Sequence, residues 1–311
     1  MSLVTHDLII IGAGPAGLTA GLYAGRSRLK TMILEKLSVG GRILLTERIE
    51  NYPGFVDGII TADLIKRIEE QVKKLEVKIK PEEVLELDCK SMSVKSGSKT
   101  YSAHAIIIAT GAHPKRLGII GEEKFTGRGV SYCATCDGAF YKEKSVVIIG
   151  GGNSMAEEAL FLTRFAKQVN IVHRRSELRA SAVLQERLKK NKKINFVLNS
   201  VVSEIIGSNK VESVKIKDMT SGEERVLPCE GVFIYVGYAP ETQFIKEKLK
   251  LDDTGFIITQ DDLSTSAEGI FACGDCRKKA LYQVITACGD GATAADSAYK
   301  FISKDISYGA K

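Results

Sequence analysis

Five consecutive residues near the middle of the chain could carry electron-transfer chemistry: Cys133-Ala134-Thr135-Cys136-Asp137. Two thiols separated by two residues can close a disulfide or supply half of a zinc site. A four-ligand zinc site needs a second pair at suitable spacing. The other C-x-x-C, Cys273 and Cys276, falls inside a different motif, so no metal site is expected. One thiol of a redox pair often has a lowered pKa and attacks disulfides as the thiolate. The seven cysteines are otherwise scattered, the pattern of a reducing compartment, where a close pair serves redox or metal chemistry more often than it staples a fold.

The elements that would position this pair occur twice. Residues 7–35 read DLIIIGAGPAGLTAGLYAGRSRLKTMILE, and residues 145–173 read SVVIIGGGNSMAEEALFLTRFAKQVNIVH. Each begins with a short apolar run, Leu8–Ile11 or Val146–Ile149, turns through glycines into a helical pattern, and ends in a second apolar run. Strand, glycine turn, helix, strand is a βαβ unit, and unbroken apolar strands are expected where a parallel sheet is buried on both faces. Gly12, Gly14 and Gly17 have the G-x-G-x-x-G spacing in that context. The bland alternative is a tight turn without a ligand; the chemical reading is backbone N–H groups brought close to a pyrophosphate at a helix N-terminus. The second copy has Gly150, Gly151 and Gly152, but Met155 replaces the third glycine, which predicts a disturbed helix–strand contact that Ala156 partly relieves.

The two copies part at the end of the second strand. Glu35 lies 23 residues after Gly12, and His173 lies 23 residues after Gly150. An acid there binds a ribose 2′-hydroxyl, as in FAD or NAD. The second copy continues with Arg174 and Arg175, with Arg179 a turn further on, which suits a 2′-phosphate. Two charge-assisted hydrogen bonds of roughly 1.5–3 kcal/mol each would favour NADPH over NADH by roughly 10²–10⁴. The alternative is a solvated basic face.

The 311 residues suggest two domains. Hydrophobic residues make up 44% and charged residues 26%, as in ordinary globular proteins. A net charge of +6 is too scattered to point to nucleic acid. The opening MSLVTHDLII lacks the features of a secretory signal, and no apolar run reaches membrane-spanning length. A cytoplasmic protein that binds no membrane is expected.

The stretch GRGVSYCATCDGAFY (residues 127–141), followed by VVIIGGGNS and VHRRSELRA, resembles the low-molecular-weight thioredoxin reductases of the bacterial and archaeal type. So do GAGPAG at 12–17, GGR at 40–42, ENYPG at 50–54, IIATGA at 107–112, TSAEGIFACGD at 265–275 and QVITACGDGATAA at 283–295. The likeness spans nearly the whole chain. It implies an α/β fold of two Rossmann-like dinucleotide-binding domains, the second inserted in the first. Residues 1–113 and 244–311 would bind FAD, and residues 114–243 would bind NADPH and carry the C-x-x-C. Carried over by the resemblance, Gly12, Gly14, Pro15, Ala16 and Glu35 would hold the ADP half of FAD. Gly41, Arg42 and Asn51 would lie near the flavin side, and Thr110 and Gly111 would also bind cofactor. Gly274 and Asp275 would meet the pyrophosphate and ribityl chain, and Gln283 and Val284 would open a helix aimed at the flavin ring. Gly152, Asn153, Ser154, His173, Arg174, Arg175 and Arg179 would hold NADPH.

The implied activity is that of a thioredoxin-disulfide reductase. NADPH reduces FAD, FAD reduces the Cys133–Cys136 disulfide through Cys136, and Cys133 attacks the disulfide of thioredoxin. Asp137 would exchange protons with the dithiol, or cap a helix. Arg128 and Phe140 match docking positions of the family, although a phenylalanine is more commonly a core residue. A homodimer is the usual family assembly. The same resemblance implies that the inserted domain swings about hinges near 111–115 and 237–242. The chain departs from the family pattern at Arg42, usually Gln, and at Tyr282, usually Arg; Cys276 and Cys288 add thiols near the flavin segment. Cys273 and Cys276 are expected to belong to that segment and not to form a second redox centre. One alternative keeps the chemistry but changes the partner to a glutaredoxin-like protein, a peroxiredoxin system or a small disulfide. Another, a flavin-binding regulatory protein without turnover, fits poorly with intact CATCD and HRR motifs.

Overall fold

The computed structural model describes residues 6–45 and 48–309, apart from the side chains of residues 45 and 305–309. The chain divides into two units, Met1–His113 with Ala239–Lys311, and Pro114–Tyr238. The return crossing therefore falls at Tyr238–Ala239, earlier than the expected 243/244. Hydrogen bonds explain the difference. The Glu241 N–H donates to the Gly111 carbonyl at 3.0 Å, the Thr110 hydroxyl donates to the Glu241 carbonyl at 2.8 Å, and the Thr242 hydroxyl donates to the Gly255 carbonyl at 2.8 Å. These tie the segment after Tyr238 to the first unit. The crossings themselves, Ala112–Pro114 and Tyr238–Pro240, pair as a two-stranded sheet.

In the first unit the strands Lys78–Pro81, Thr31–Glu35, His6–Ile11 and Lys99–Ile108 lie side by side in that order, all parallel, with Ile270–Ala272 added to the last. The opening residues of Lys99–Ile108 pair instead with Ser93–Ser96, which pairs with Glu86–Asp88, both antiparallel. Side chains alternate across a strand. Leu8 and Ile10 accordingly enter one core cluster, and Ile9 and Ile11 another. Both faces are covered, which is why the run is unbroken. Each such side chain contributes about 1.5–3 kcal/mol by burial. Ile10→Ala, at a site with no exposure, would cost about 2–5 kcal/mol. The helix Pro15–Arg26 packs against the long helix Val284–Gly309 backbone to backbone: a Cβ on Gly291 would fall 2.2 Å from the Ala16 carbonyl oxygen.

In the second unit Val130–Ser131, Gly231–Tyr235, Ser145–Gly150, Gln168–Val172 and Ile194–Val197 form a parallel sheet in that order. Val146 and Ile148 face the helices Asn153–Leu162 and Ala182–Lys190. Val147 and Ile149 face the antiparallel strands Ser200–Ile206, Ser213–Asp218 and Glu224–Pro228. Met155, which stands where the third glycine would, is 1% exposed and joins the helix-side core with Val146 and Ile148. Both units thus contain the strand–glycine turn–helix–strand element, and the fold is a doubled Rossmann-like α/β architecture with one unit inserted in the other. Among the described residues no helix is long and apolar enough to cross a membrane.

Candidate active site

The short strand Val130–Ser131 delivers the chain into a one-turn helix, Ala134–Asp137, with Cys133 at its N-cap. Cys133 and Cys136 are joined as a disulfide with their Cα atoms 5.3 Å apart, and both are half-buried. The Ser131 hydroxyl donates to Asp137 Oδ2 at 2.6 Å and accepts from the Cys133 N–H at 3.1 Å. Burial pushes the Asp137 carboxyl above its ordinary pKa, with the Ser131 hydrogen bond pulling the other way. A carboxyl that binds its proton more firmly than usual is suited to proton exchange with a neighbouring dithiol. Asp137 makes no side-chain cap hydrogen bond to the turn that follows, Gly138–Tyr141. Phe140, on that turn, is 50% exposed and so is not a core residue. Arg128 is exposed, and its guanidinium donates to the Lys124 carbonyl at 2.6 Å.

Cys273 and Cys276 have the same spacing and a different setting. Both are free thiols with no exposure. The Cys276 thiol donates to the carbonyls of Cys273 at 3.2 Å and Ile108 at 3.4 Å. Burial pushes the Cys276 thiol up to about 11 and the Cys273 thiol well above its ordinary value. Cys288 lies 3.8 Å from the Tyr52 hydroxyl, which burial and this neighbour push up to about 12.

The glycine turn of the first unit is built for close approach. Gly12 has φ +107°, and a Cβ there would fall 2.4 Å from the Ala109 carbonyl oxygen. Gly14 caps the helix without a side-chain hydrogen bond, and Pro15 begins it, so the first turn leaves its backbone N–H groups turned outward. Glu35 ends the neighbouring strand; its carboxylate accepts from the Ala13 N–H at 2.7 Å and the Leu37 N–H at 3.0 Å. Gly41 lies against Gly14, and Gly274 against Ala16. Arg42 turns its guanidinium to the Ala112 carbonyl. Asn51 donates to the Gln283 side-chain oxygen at 2.9 Å, next to Val284, where the long helix begins. An open helix start beside an acid fits a pyrophosphate with a free ribose hydroxyl, as FAD presents.

The second turn has the same backbone and the opposite charge. A Cβ on Gly151 would fall 2.2 Å from the His173 ring, so the imidazole floors the turn. His173 is 6% exposed, burial lowers its pKa, and its Nε2 has no hydrogen-bond partner. The Gly151 carbonyl accepts from the N–H groups of Arg179 and Ala180 at 2.7 and 3.0 Å. Asn153 accepts from the Ser181 N–H at 2.8 Å. Gly152 caps the helix without a side-chain bond, beside exposed Asn153 and Ser154. Arg174, Arg175 and Arg179 are exposed around it. This set fits a dinucleotide carrying a 2′-phosphate, as NADPH does.

Several residues at these sites carry no motif that would reveal them in the sequence. Lys279 is almost enclosed, 3.2 Å from Asp275 and 3.3 Å from Asp290, and stacks on Tyr282. Asp290 also accepts from the Gly274 N–H at 3.1 Å. Ser131, Glu158 and Tyr235 surround the dithiol turn. A hydroxyl, an acid and a phenol distant in sequence form no spacing that sequence inspection could detect.

Known proteins place this geometry. The model of the family described as pyridine nucleotide-disulphide oxidoreductase matches residues 6–291. A thioredoxin reductase of Peptoclostridium litorale is 47% identical over 307 residues, 96% of this chain and 98% of that one. A thioredoxin reductase of Bacillus subtilis (strain 168) is 45% identical, covering 96% of this chain and 95% of that one. The crystal structure of thioredoxin reductase from Streptococcus pyogenes MGAS5005 superposes with a TM-score of 0.91 at 44% identity, covering 96% and 98% of the two chains. With nearly its whole length matched in sequence and fold, the chain belongs to the pyridine nucleotide-disulphide oxidoreductase family.

Proposed function

We infer that this protein is an NADPH-dependent thioredoxin-disulfide reductase that works with FAD. The observation that carries the reading is the half-buried Cys133–Cys136 disulfide beside a carboxyl of raised pKa, in a chain with one acidic and one arginine-rich dinucleotide turn. FAD, when bound, supplies the two-electron link between the nicotinamide of NADPH and the disulfide.

The chain's own residues do the rest. Gly12, Gly14, Pro15, Ala16 and Glu35 hold the adenosine half of FAD, with Gly274 and Asp275 on its phosphate side. Gly41, Arg42, Asn51, Thr110, Gly111, Gln283 and Val284 orient the flavin end. Gly152, Asn153, Ser154 and His173 shape the NADPH turn, and Arg174, Arg175 and Arg179 bind the 2′-phosphate. Opening the disulfide takes two electrons and two protons and yields two thiols. Asp137 gives and takes a proton at the Cys136 side. The Cys133 thiolate then attacks a thioredoxin sulfur, and Cys136 resolves the mixed disulfide, leaving thioredoxin as the dithiol. Exposed Phe140 and Arg128 contribute to docking. The dithiol must meet both flavin and partner, so the inserted unit turns about the crossings between steps. The protein works as a homodimer in the cytoplasm.

The test is NADPH consumption by the purified yellow protein with and without thioredoxin, glutaredoxin and a small disulfide. Thioredoxin-dependent turnover with release of FAD on denaturation is expected. Turnover with the other acceptors alone would refute the partner, and FMN or no flavin would refute the cofactor assignment.

A further inference from the structure

The residue before Cys133 is held from two sides. The strand Val130–Ser131 is two residues long and lies at the edge of its sheet, so sheet pairing ends before Tyr132. The Tyr132 ring packs with Leu117 and Ile119 against the core of its unit. Its hydroxyl donates to Glu122 Oε1 at 2.8 Å, and its carbonyl accepts from the Tyr238 hydroxyl at 3.0 Å. Glu122, 3% exposed, also accepts from the Leu117 N–H at 3.0 Å and the Gly118 N–H at 2.7 Å. Leu117 and Gly118 follow the crossing Ala112–Pro114, and Tyr238 opens the crossing Tyr238–Pro240. The Lys115 N–H donates to the Gly237 carbonyl at 2.8 Å and joins the two segments. Side chain and main chain of Tyr132 are therefore fastened to one hydrogen-bonded piece, where the chain enters and leaves the inserted unit.

Packing requires neither hydroxyl. Phenylalanine would fill both ring positions, and an apolar ring needs no hydrogen-bond partner. What the hydroxyls add is direction. Burial and the neighbouring Glu122 push the Tyr132 phenol up to about 12, so it remains a donor at neutral pH. Direction matters for a thiolate that must reach one sulfur of a partner's disulfide. A small reagent can turn to meet a wandering thiolate. A disulfide inside a folded protein cannot, and a misplacement of about 1 Å can cost about 10²-fold in rate.

Resting on the reading of Cys133 as the attacking thiol, we propose that Tyr132 is a positioning residue, gripped at its hydroxyl by Glu122 and at its carbonyl by Tyr238, that fixes the direction in which Cys133 meets a folded disulfide partner. The test compares wild type, Tyr132→Phe and Tyr238→Phe as FAD-loaded protein. Each substitution removes one hydroxyl and keeps the ring. Two quantities are measured: kcat/KM for thioredoxin, and the rate at which iodoacetamide alkylates Cys133 in the reduced enzyme, read from the peptide mass. Both variants should lose about tenfold in kcat/KM for thioredoxin. Alkylation of Cys133 should stay within about twofold of wild type, because a small reagent does not need a fixed sulfur. A role in stability or in thiol ionisation would move alkylation as well, or neither quantity. Either variant with wild-type kcat/KM overturns the proposal, and so does an equal fall in both quantities. If the wild type reduces a glutaredoxin-like protein and not thioredoxin, the functional reading fails, and the same split is measured with that acceptor. A wild type that reduces neither protein overturns both.

Discussion

Cys133/Cys136 and Cys273/Cys276 share a spacing and little else. The first pair straddles a one-turn helix, half-buried, with its sulfurs joined. The second has no exposure, keeps both thiols free, and has pKa values raised by burial. Spacing lets two thiols meet, but solvent access and local charge decide whether they react. The two glycine turns teach the same lesson. Their backbones match, yet one closes on the carboxylate of Glu35 and the other on neutral His173 ringed by arginines.

The strongest way to break the first comparison is to remove one sulfur at a time. Cys133→Ser or Cys136→Ser should lower NADPH-dependent thioredoxin reduction by about 10³-fold or more, because neither serine can form the disulfide. Cys273→Ala and Cys276→Ala should leave it within about threefold, since these thiols are not ionised at neutral pH. Steady-state assays of all four variants check this, and loss of turnover in the second pair alone would reverse the assignment.

Replacing Arg174 and Arg175 by glutamine tests the second comparison. The preference for NADPH over NADH should fall by roughly 10²–10⁴, through KM for NADPH. Equal changes for both coenzymes would show that these arginines do not read the 2′-phosphate.

A chemical probe sharpens the contrast without mutation. After reduction, iodoacetamide at pH 7 should label Cys133 at least about 10²-fold faster than Cys273 or Cys276, following thiolate fraction and access. Mass spectrometry of the peptides gives the rates, and comparable labelling would remove the proposed difference.

Smaller effects are expected on stability. Cys276→Ala loses a buried hydrogen bond and leaves a small hole, at a cost of about 1 kcal/mol, measurable by urea unfolding. Asp137 gives a signed pH effect. Its pKa is raised in the folded protein, so the folded chain holds this proton more firmly than the unfolded one. Its contribution is therefore present at low pH and lost as pH rises from about 3.9 through the raised folded value. Asp137→Asn should gain stability relative to wild type across that window, and melting curves at several pH values will show a flat difference if the carboxyl is unperturbed.

Much of the fold was legible because strand, turn and helix are local. The apolar runs at Leu8–Ile11 and Val146–Ile149, the glycines after them, and the contrast of Glu35 with His173-Arg174-Arg175 all lie within one short βαβ stretch. Their meaning depends on hydrogen-bonding geometry that a few neighbouring residues determine. The C-x-x-C is local in the same way, and its spacing alone allows a disulfide.

Tertiary structure decided what depends on distant neighbours. Residues 239–243 belong to the first unit because Glu241 bonds back to Thr110 and Gly111 across more than a hundred positions. Met155 is buried because neighbouring strands and helices build a core around its side chain. Phe140 is exposed because its turn runs along the surface of its unit. Lys279 finds Asp290, and Ala134 finds Tyr235, only once the chain has folded. Spacing in sequence determines which groups can be offered; burial and pairing, properties of the folded volume, decide which of them ionise, react or stay silent.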